Sequence, residues 1–182
     1  MRSHQKTKNT ASQHIVMDET PTWSKIIAQT IKTGIIKSNL ITMFAGLALA
    51  MYTYKVNPLD EWLAVICAII GTGAVICGAG AFNNWYDRDI DAKMKRTQKR
   101  PTVTGEISPN MTLILSVVLL VAGVGILFVA SPMAALLGFI GWFLYVVPYT
   151  MWTKRHTVYN TEVGSLSGAM PPLIGWGVVS ND

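Results

Sequence analysis

Long stretches without a charged residue alternate with short polar segments along most of the chain. Five such stretches predict membrane spans, over about 38–54, 62–82, 111–130, 132–152 and 160–179. The uncharged stretch from Met111 to Thr153 is too long for one crossing at about 1.5 Å per residue, and Ser131-Pro132 divides it. The last stretch contains Pro171-Pro172, which we expect to kink or break its helix. The pattern predicts an all-α membrane protein.

Two polar segments precede the first predicted span. Residues 1–21 are predicted to form a polar cytoplasmic tail. Residues 22–38 are predicted to form an amphipathic helix in the membrane interface, because isoleucines and a tryptophan share one side while Lys25, Gln29 and Lys32 share another. Residues 39–182 are then predicted to form the membrane domain.

Composition and charge narrow the class of protein. The chain is 51% hydrophobic and 14% charged, whereas a soluble domain carries about 25% charged residues. Fourteen of the 15 Lys and Arg residues lie on one side of the predicted spans, and only Lys55 lies on the other. The positive-inside rule therefore places the N-terminus and the loop after the second span in the cytoplasm. Topology explains the net charge of +5, and no basic face interleaved with aromatics indicates nucleic-acid binding.

Three oxygen-bearing side chains recur at four-residue spacing where the second span ends. Asn83, Asp87 and Asp91 would share one face of a helix. Carboxylate and amide oxygens suit a hard cation such as Mg²⁺, which proteins usually hold jointly with substrate phosphates. The spacing therefore indicates a metal site at the membrane boundary. The alternative is an ordinary solvated helix end that obeys the positive-inside rule.

Basic residues follow the acidic ones and are predicted to bind an anion. Lys95, Arg96 and Arg100 come from the same loop, and Lys154 comes from another loop on the same side of the membrane. Lys and Arg around a carboxylate-held metal ion are what a diphosphate requires, because together they neutralise its charge. The same groups would stabilise a departing diphosphate.

Several other residues near the membrane boundary have two interpretations each. His156 is either a surface residue or a haem ligand or proton carrier. Glu162 is either a functional intramembrane carboxylate or a side chain that reaches to the interface. Tyr145, Tyr149 and Trp152 are either an aromatic belt or π-faces that stabilise a cationic intermediate.

The motifs resemble those of the UbiA superfamily of intramembrane prenyltransferases. Asn83-x-x-x-Asp87-x-x-x-Asp91 matches the first signature of that superfamily. The amino-acid sequence around these motifs, in particular at residues 95–101, 154–157 and 168–176, is similar to that of the members that prenylate haem. The resemblance implies a UbiA-type intramembrane helical bundle of about nine helices, of which about five are present here.

The resemblance also implies a reaction and a bacterial cell-membrane location, although a mitochondrial origin stays open. Farnesyl diphosphate, held with Mg²⁺ at the catalytic residues Asn83, Asp87 and Asp91, would transfer its farnesyl group to a vinyl group of haem B, giving haem O. Arg100 and Lys154 match basic positions expected near the diphosphate. The partners implied are these two substrates, the lipid bilayer and haem A synthase.

One departure from the superfamily pattern bears on activity. The superfamily carries a second Asp-rich motif after its sixth helix, whereas the acidic residues after Glu106 are Glu162 and Asp182 alone. We therefore expect an N-terminal part of a longer enzyme that is inactive by itself. Two alternatives stay open: a UbiA relative that prenylates an aromatic quinone precursor, and a non-enzymatic membrane transport subunit with an ion site.

Overall fold

The structure, a computed structural model, describes residues 22–180, and the regular elements in that range are all helical. The prediction for residues 1–21 lies outside the described residues. The elements in chain order are α1 (Trp23–Thr30), α2 (Thr33–Tyr54), α3 (Trp62–Tyr86), α4 (Arg88–Asp91), α5 (Pro101–Thr104), α6 (Pro109–Ala130), α7 (Pro132–Leu144), a π-helical segment (Tyr145–Thr153), α8 (Lys154–His156), α9 (Asn160–Gly168) and α10 (Met170–Gly177).

Four helices in the described range are long and apolar enough to cross a membrane. They are α2, α3, α6 and the continuous rod formed by α7, the π-helical segment and α8. Large apolar side chains point outward from them, as Val121 and Phe128 do from α6. Such exposure is unfavourable in water but expected where lipid surrounds a helix. The prediction of an all-α, multi-span membrane protein is confirmed.

The N-terminal helix is shorter than the sequence pattern indicates. We predicted one helix over 22–38, but α1 ends at Thr30 and α2 has already begun at Thr33. Lys32 adopts a left-handed backbone conformation (φ 59°), which a right-handed helix cannot contain. The Asn84 side-chain amide of α3 donates a hydrogen bond of 2.6 Å to the Thr30 carbonyl and so fixes the end of α1. Residues 33–38 therefore belong to the first membrane helix.

The fifth predicted span, over 160–179, is divided into two shorter helices. α9 ends at Gly168 and α10 begins at Met170. Pro171 and Pro172 occupy the first turn of α10, where their missing N–H groups are tolerated at a helix start but interrupt a helix that continues from before. The break brings α10 against α2 and α7.

Glycines allow the helices to approach closely. A Cβ atom at Gly123 of α6 would lie 2.8 Å from the Val75 nitrogen and 2.9 Å from the Gly71 oxygen of α3. On the other side of the bundle, a Cβ atom at Gly46 of α2 would lie 2.0 Å from the Pro172 oxygen of α10. Only residues without a side chain permit such backbone contact, a common means of joining helices in membranes.

Candidate functional site

Asn83, Asp87 and Asp91 lie on one inward face, as their spacing predicts. Their exposed fractions are 2%, 0% and 3%. The Asp87 N–H donates to the Asn83 carbonyl at 2.9 Å, and the Asp91 N–H donates to the Asp87 carbonyl at 2.8 Å. The helical hydrogen-bond ladder therefore continues across the junction of α3 and α4. This continuity keeps the three side chains in register within the bundle.

The two carboxylates are neutralised by cations from later in the chain. Arg100, which precedes α5, forms an ion pair with Asp91. Lys154, at the start of α8, forms an ion pair with Asp87. Buried charges require such partners, because the loss of hydration otherwise disfavours them strongly. The structure thus brings together two of the four basic residues that the sequence assigns to anion binding.

The other two predicted anion-binding residues occupy different positions. Arg96 lines the polar cleft next to the site. Lys95 is exposed and is not among the residues that line this cleft.

Lys32 is a site residue that sequence reasoning missed. Its ammonium group donates a hydrogen bond to the Asn83 Oδ1 atom. Burial, and next the charges of Arg100 and Lys154, lower the pKa of Lys32 from 10.5 to about 7. The side chains of Lys32, Arg100 and Lys154 thus converge where two carboxylates are buried, and an anionic ligand would favour the charged form of Lys32. The sequence places Lys32 on the polar side of the predicted helix over 22–38, and this was the only signal for it. The left-handed backbone conformation at Lys32, which directs the side chain toward Asn83, could not be read from the pattern.

The Asn83 amide connects three segments of the chain, those of Lys32, of Asn83 with Asp87, and of Thr150. Its Nδ2 group donates to the Asp87 Oδ2 atom at 2.7 Å and to the Thr150 hydroxyl oxygen at 3.2 Å. Its Oδ1 atom accepts from Lys32. The amide is therefore oriented with its nitrogen toward the protein interior and its oxygen toward the cleft that Lys32 and Asn83 line.

Two hollows meet at this site. The polar cleft has a volume of about 580 Å³, and Asn83, Asp91, Arg100 and Lys154 are among its lining residues. An apolar cavity of about 210 Å³ extends between α2, α3, α7, α9 and α10. The lining residues common to both hollows are Lys32, Ile35 and Tyr145. A molecule with an anionic head and an apolar tail could occupy both.

The donor set fits a divalent metal ion that shares its coordination with a ligand. The buried Asp87 Oδ1 atom has no hydrogen-bond partner, and the Arg155 guanidinium lies 3.9 Å from it. A metal ion would supply the direct contact that this oxygen lacks. Within residues 22–180, no cluster of three or more His, Cys, Asp or Glu residues forms a complete metal cage. Two carboxylates and an amide leave coordination positions for phosphate oxygens or water, as Mg²⁺ prefers.

The remaining boundary residues separate into two groups. Tyr145 and Tyr149 line the polar cleft, with ring centroids 5.1 Å apart. Trp152, His156 and Glu162 are exposed and are not among its lining residues. The structure therefore gives the two tyrosines a place at the site and the other three a place at the surface.

Asp89 lies at the surface, away from Asn83, Asp87 and Asp91. It is 59% exposed and forms a two-contact ion pair with Arg155, at 2.8 and 3.1 Å. The hydrogen bond from Arg155 lowers the pKa of Asp89 below its usual value. This pair joins α4 to α8 at the surface of the protein.

The fold is a helical membrane bundle with buried carboxylates and cations at the mouth of an apolar cavity. This arrangement is typical of proteins that bind lipid-like molecules with charged head groups. Residues 39–182 match the UbiA prenyltransferase family. The chain belongs to this family, which confirms the resemblance found in the sequence.

Individual relatives agree with this assignment. The chain is 62% identical over 159 residues to protoheme IX farnesyltransferase 2 of Lysinibacillus sphaericus, covering 87% of this chain and 50% of the relative. It is 48% identical over 166 residues to protoheme IX farnesyltransferase 2 of Bacillus subtilis, covering 91% and 54%. The chain thus spans about half the length of the curated relatives it matches.

A solved structure shares the fold. A UbiA homolog from Archaeoglobus fulgidus, bound to DMAPP and Mg²⁺, matches with a TM-score of 0.73 at 14% identity. The match covers 84% of this chain and 54% of the homolog. At this level of identity the likeness establishes the helical architecture.

Proposed function

We propose that this chain provides the diphosphate-binding half of a haem farnesyltransferase. The reaction transfers a farnesyl group from farnesyl diphosphate to a vinyl group of haem B and produces haem O and diphosphate. The names of the relatives from Lysinibacillus sphaericus and Bacillus subtilis support this choice of substrates. The observation that carries the proposal is the buried Asn83, Asp87 and Asp91 array beside the opening of an apolar cavity.

The polar cleft receives the diphosphate. Lys32, Arg100 and Lys154 line it and supply hydrogen-bond donors with positive charge. Arg100 and Lys154 pair with Asp91 and Asp87, and these ion pairs hold the two cations at the site. Asn83, Asp87 and Asp91 would hold Mg²⁺, which supplies charge neutralisation for the leaving diphosphate. The cations stabilise the same negative charge as it develops.

The apolar cavity receives the isoprenoid chain. Its walls are formed mainly by isoleucine side chains and by glycine backbone, and it begins beside Lys32 and Tyr145. As the C1–O bond of farnesyl diphosphate breaks, its electron pair leaves with the diphosphate and C1 becomes cationic. The faces of Tyr145 and Tyr149 are well placed to stabilise this cation. The haem vinyl group then bonds to C1, and water adds to the resulting cation with loss of a proton.

The distribution of Lys and Arg residues between the loops determines how the protein is oriented in the membrane. With the basic loops in the cytoplasm, the cleft opens toward that side of a bacterial membrane. A soluble head group would then enter from the cytoplasm while the isoprenoid chain enters among the membrane helices. The product would pass to haem A synthase.

Labelled substrates test the proposed reaction directly. The chain joined to the C-terminal half of the Lysinibacillus sphaericus relative is incubated with labelled farnesyl diphosphate and either haem B or 4-hydroxybenzoate. We expect the label in a haem product that has gained a farnesyl group and water by mass analysis. Label in 4-hydroxybenzoate alone would instead assign the protein to quinone synthesis. The 182-residue chain by itself is the comparison, and we expect no turnover from it.

A further inference from the structure

Thr150 is a fully buried hydroxyl residue in the π-helical segment, and it contacts the metal-site residue Asn83. Its exposed fraction is 0%. Its hydroxyl donates to the Tyr145 carbonyl at 2.8 Å and accepts from the Asn83 Nδ2 group at 3.2 Å. No feature of the Asn83, Asp87 and Asp91 spacing anticipates this contact, because it joins residues 67 positions apart.

The direction of this hydrogen bond is fixed. A hydroxyl group has one proton to donate, and the Thr150 proton is directed to the Tyr145 carbonyl. Its oxygen can therefore only accept from Asn83, which must present its NH₂ group to Thr150. The Asn83 carbonyl oxygen consequently faces the opposite way, toward Lys32 and the polar cleft.

The hydroxyl bond of Thr150 follows the wide spacing of the π-helical segment. In a regular helix a threonine hydroxyl bonds to the carbonyl three or four residues before it, and at the end of this segment Thr153 still bonds in that way, to Tyr149 at 3.2 Å. Thr150 instead bonds to the carbonyl five residues before it. Pro148, which has no N–H group to contribute to a regular ladder, lies between them. Widened turns of this kind are frequent at functional sites.

Thr150 also differs from the other two partners of Asn83. Lys32 and Asp87 are charged groups for which a bound diphosphate or metal ion competes. Thr150 is neutral as well as buried, so neither an anion nor a metal ion competes for it through charge. Its contact with Asn83 can therefore persist when the site is filled. We propose that Thr150 is a positioning residue that keeps the Asn83 amide oxygen directed at the bound metal ion.

The inference rests on the proposed function, and metal affinity tests both. Mn²⁺ serves as a spectroscopic substitute for Mg²⁺, and its binding to the purified 182-residue chain is measured with inorganic pyrophosphate present. Thr150→Val and Thr150→Ala remove the hydroxyl, whereas Thr150→Ser keeps it. Thr153→Val is the matched control, since it removes a buried hydroxyl of the same segment that bonds to the Tyr149 carbonyl and not to Asn83.

We expect Thr150→Val and Thr150→Ala to weaken Mn²⁺ binding roughly tenfold, as loss of a ligand-orienting hydrogen bond does. Thr150→Ser and Thr153→Val should retain the affinity of the unsubstituted chain. Equal weakening by Thr153→Val, no rescue by Thr150→Ser, or unchanged affinity in both hydroxyl-free variants would overturn the positioning role. If Asp87→Asn abolishes binding in those same experiments, the proposed metal site survives. An unsubstituted chain that binds no Mn²⁺ would overturn both proposals.

Discussion

The middle and the C-terminal end of α3 are both buried, but for different physical reasons. In the middle, Gly71 and Gly78 bring the backbone against α6, and the Ser116 hydroxyl donates to the Gly78 carbonyl at 2.9 Å. At the end, Asn83 and Asp87 bury polar side chains that need partners from distant segments. Side-chain volume decides which residues fit the middle, whereas charge and hydrogen bonding decide which fit the end.

Because the two parts of α3 are buried for different reasons, substitutions in them should affect different properties, the stability of the fold in the middle and ligand binding at the end. Substitutions in the middle of α3 or in the facing part of α6 should change how firmly the helices hold together and leave the site chemistry alone. Substitutions at the end should change ligand binding and turnover first. The helix thus carries two kinds of constraint within one membrane crossing.

The largest effect should come from removing the charge of Asp87. Asp87→Asn removes a carboxylate from the proposed metal site, and we expect haem product to fall on the order of a hundredfold. The assay uses the chain joined to the C-terminal half of the Lysinibacillus sphaericus relative. Asp89→Asn is the matched control, because it makes the same change two residues away at an exposed position. Similar losses in both variants would contradict the assignment.

A methyl group in the α3–α6 contact should produce the next largest effect. Gly123→Ala places a Cβ atom against backbone atoms of Gly71 and Val75, and we expect the free energy of unfolding to fall by about 2 kcal/mol. Gly125→Ala on the same helix meets nothing within 4 Å and should be neutral or slightly stabilising. Unfolding in mixed detergent micelles, followed by circular dichroism, gives the comparison. Equal stability of the two variants would show that the contact does not constrain the fold.

Three of the four predicted anion-binding residues, Arg100, Lys154 and Lys95, should differ in their contributions to anion binding. Arg100→Gln and Lys154→Gln each remove a charged donor that lines the cleft, and we expect affinity for pyrophosphate to fall roughly tenfold. Lys95→Gln changes an exposed side chain outside the cleft lining and should have little effect. Equilibrium dialysis of labelled pyrophosphate measures all three variants. A loss in Lys95→Gln equal to the others would favour a diffuse electrostatic surface instead of a defined cleft.

The surface pair of Asp89 and Arg155 should have the smallest effect. Arg155 lowers the pKa of Asp89 in the folded protein, so the pair stabilises the fold above about pH 4 and loses this contribution as the pH falls through the folded-state pKa. Because the pair is largely exposed, the contribution should be less than about 1 kcal/mol. The difference in unfolding free energy between the unsubstituted chain and Asp89→Asn should therefore shrink in acid. A difference that grows in acid would contradict this sign.

The sequence predicts the parts of the site that depend on local spacing. Helical periodicity placed Asn83, Asp87 and Asp91 on one face, and the structure buries that face. Lys32 and Thr150 contact Asn83 from 51 and 67 residues away. Such contacts depend on how the helices pack, which periodicity does not report. The functional roles of all these residues remain predictions.

Irregular backbone conformations were the second feature that the pattern of apolar and polar residues did not predict. The left-handed Lys32 interrupts a stretch whose apolar residues continue the helical period, so the pattern extended the first helix to residue 38. The break at Pro171 was anticipated, because proline marks such sites directly in the sequence. The π-helical segment contains Pro148, which was the available signal for the geometry at Thr150.

The central claim is that the end of α3 binds a metal ion and a diphosphate together. Measuring Mn²⁺ affinity of the 182-residue chain with and without inorganic pyrophosphate tests this claim most directly. Binding should tighten markedly when pyrophosphate is present, and Asp87→Asn should abolish the gain. Mn²⁺ binding of equal strength with and without pyrophosphate would contradict the account and indicate a simple ion site.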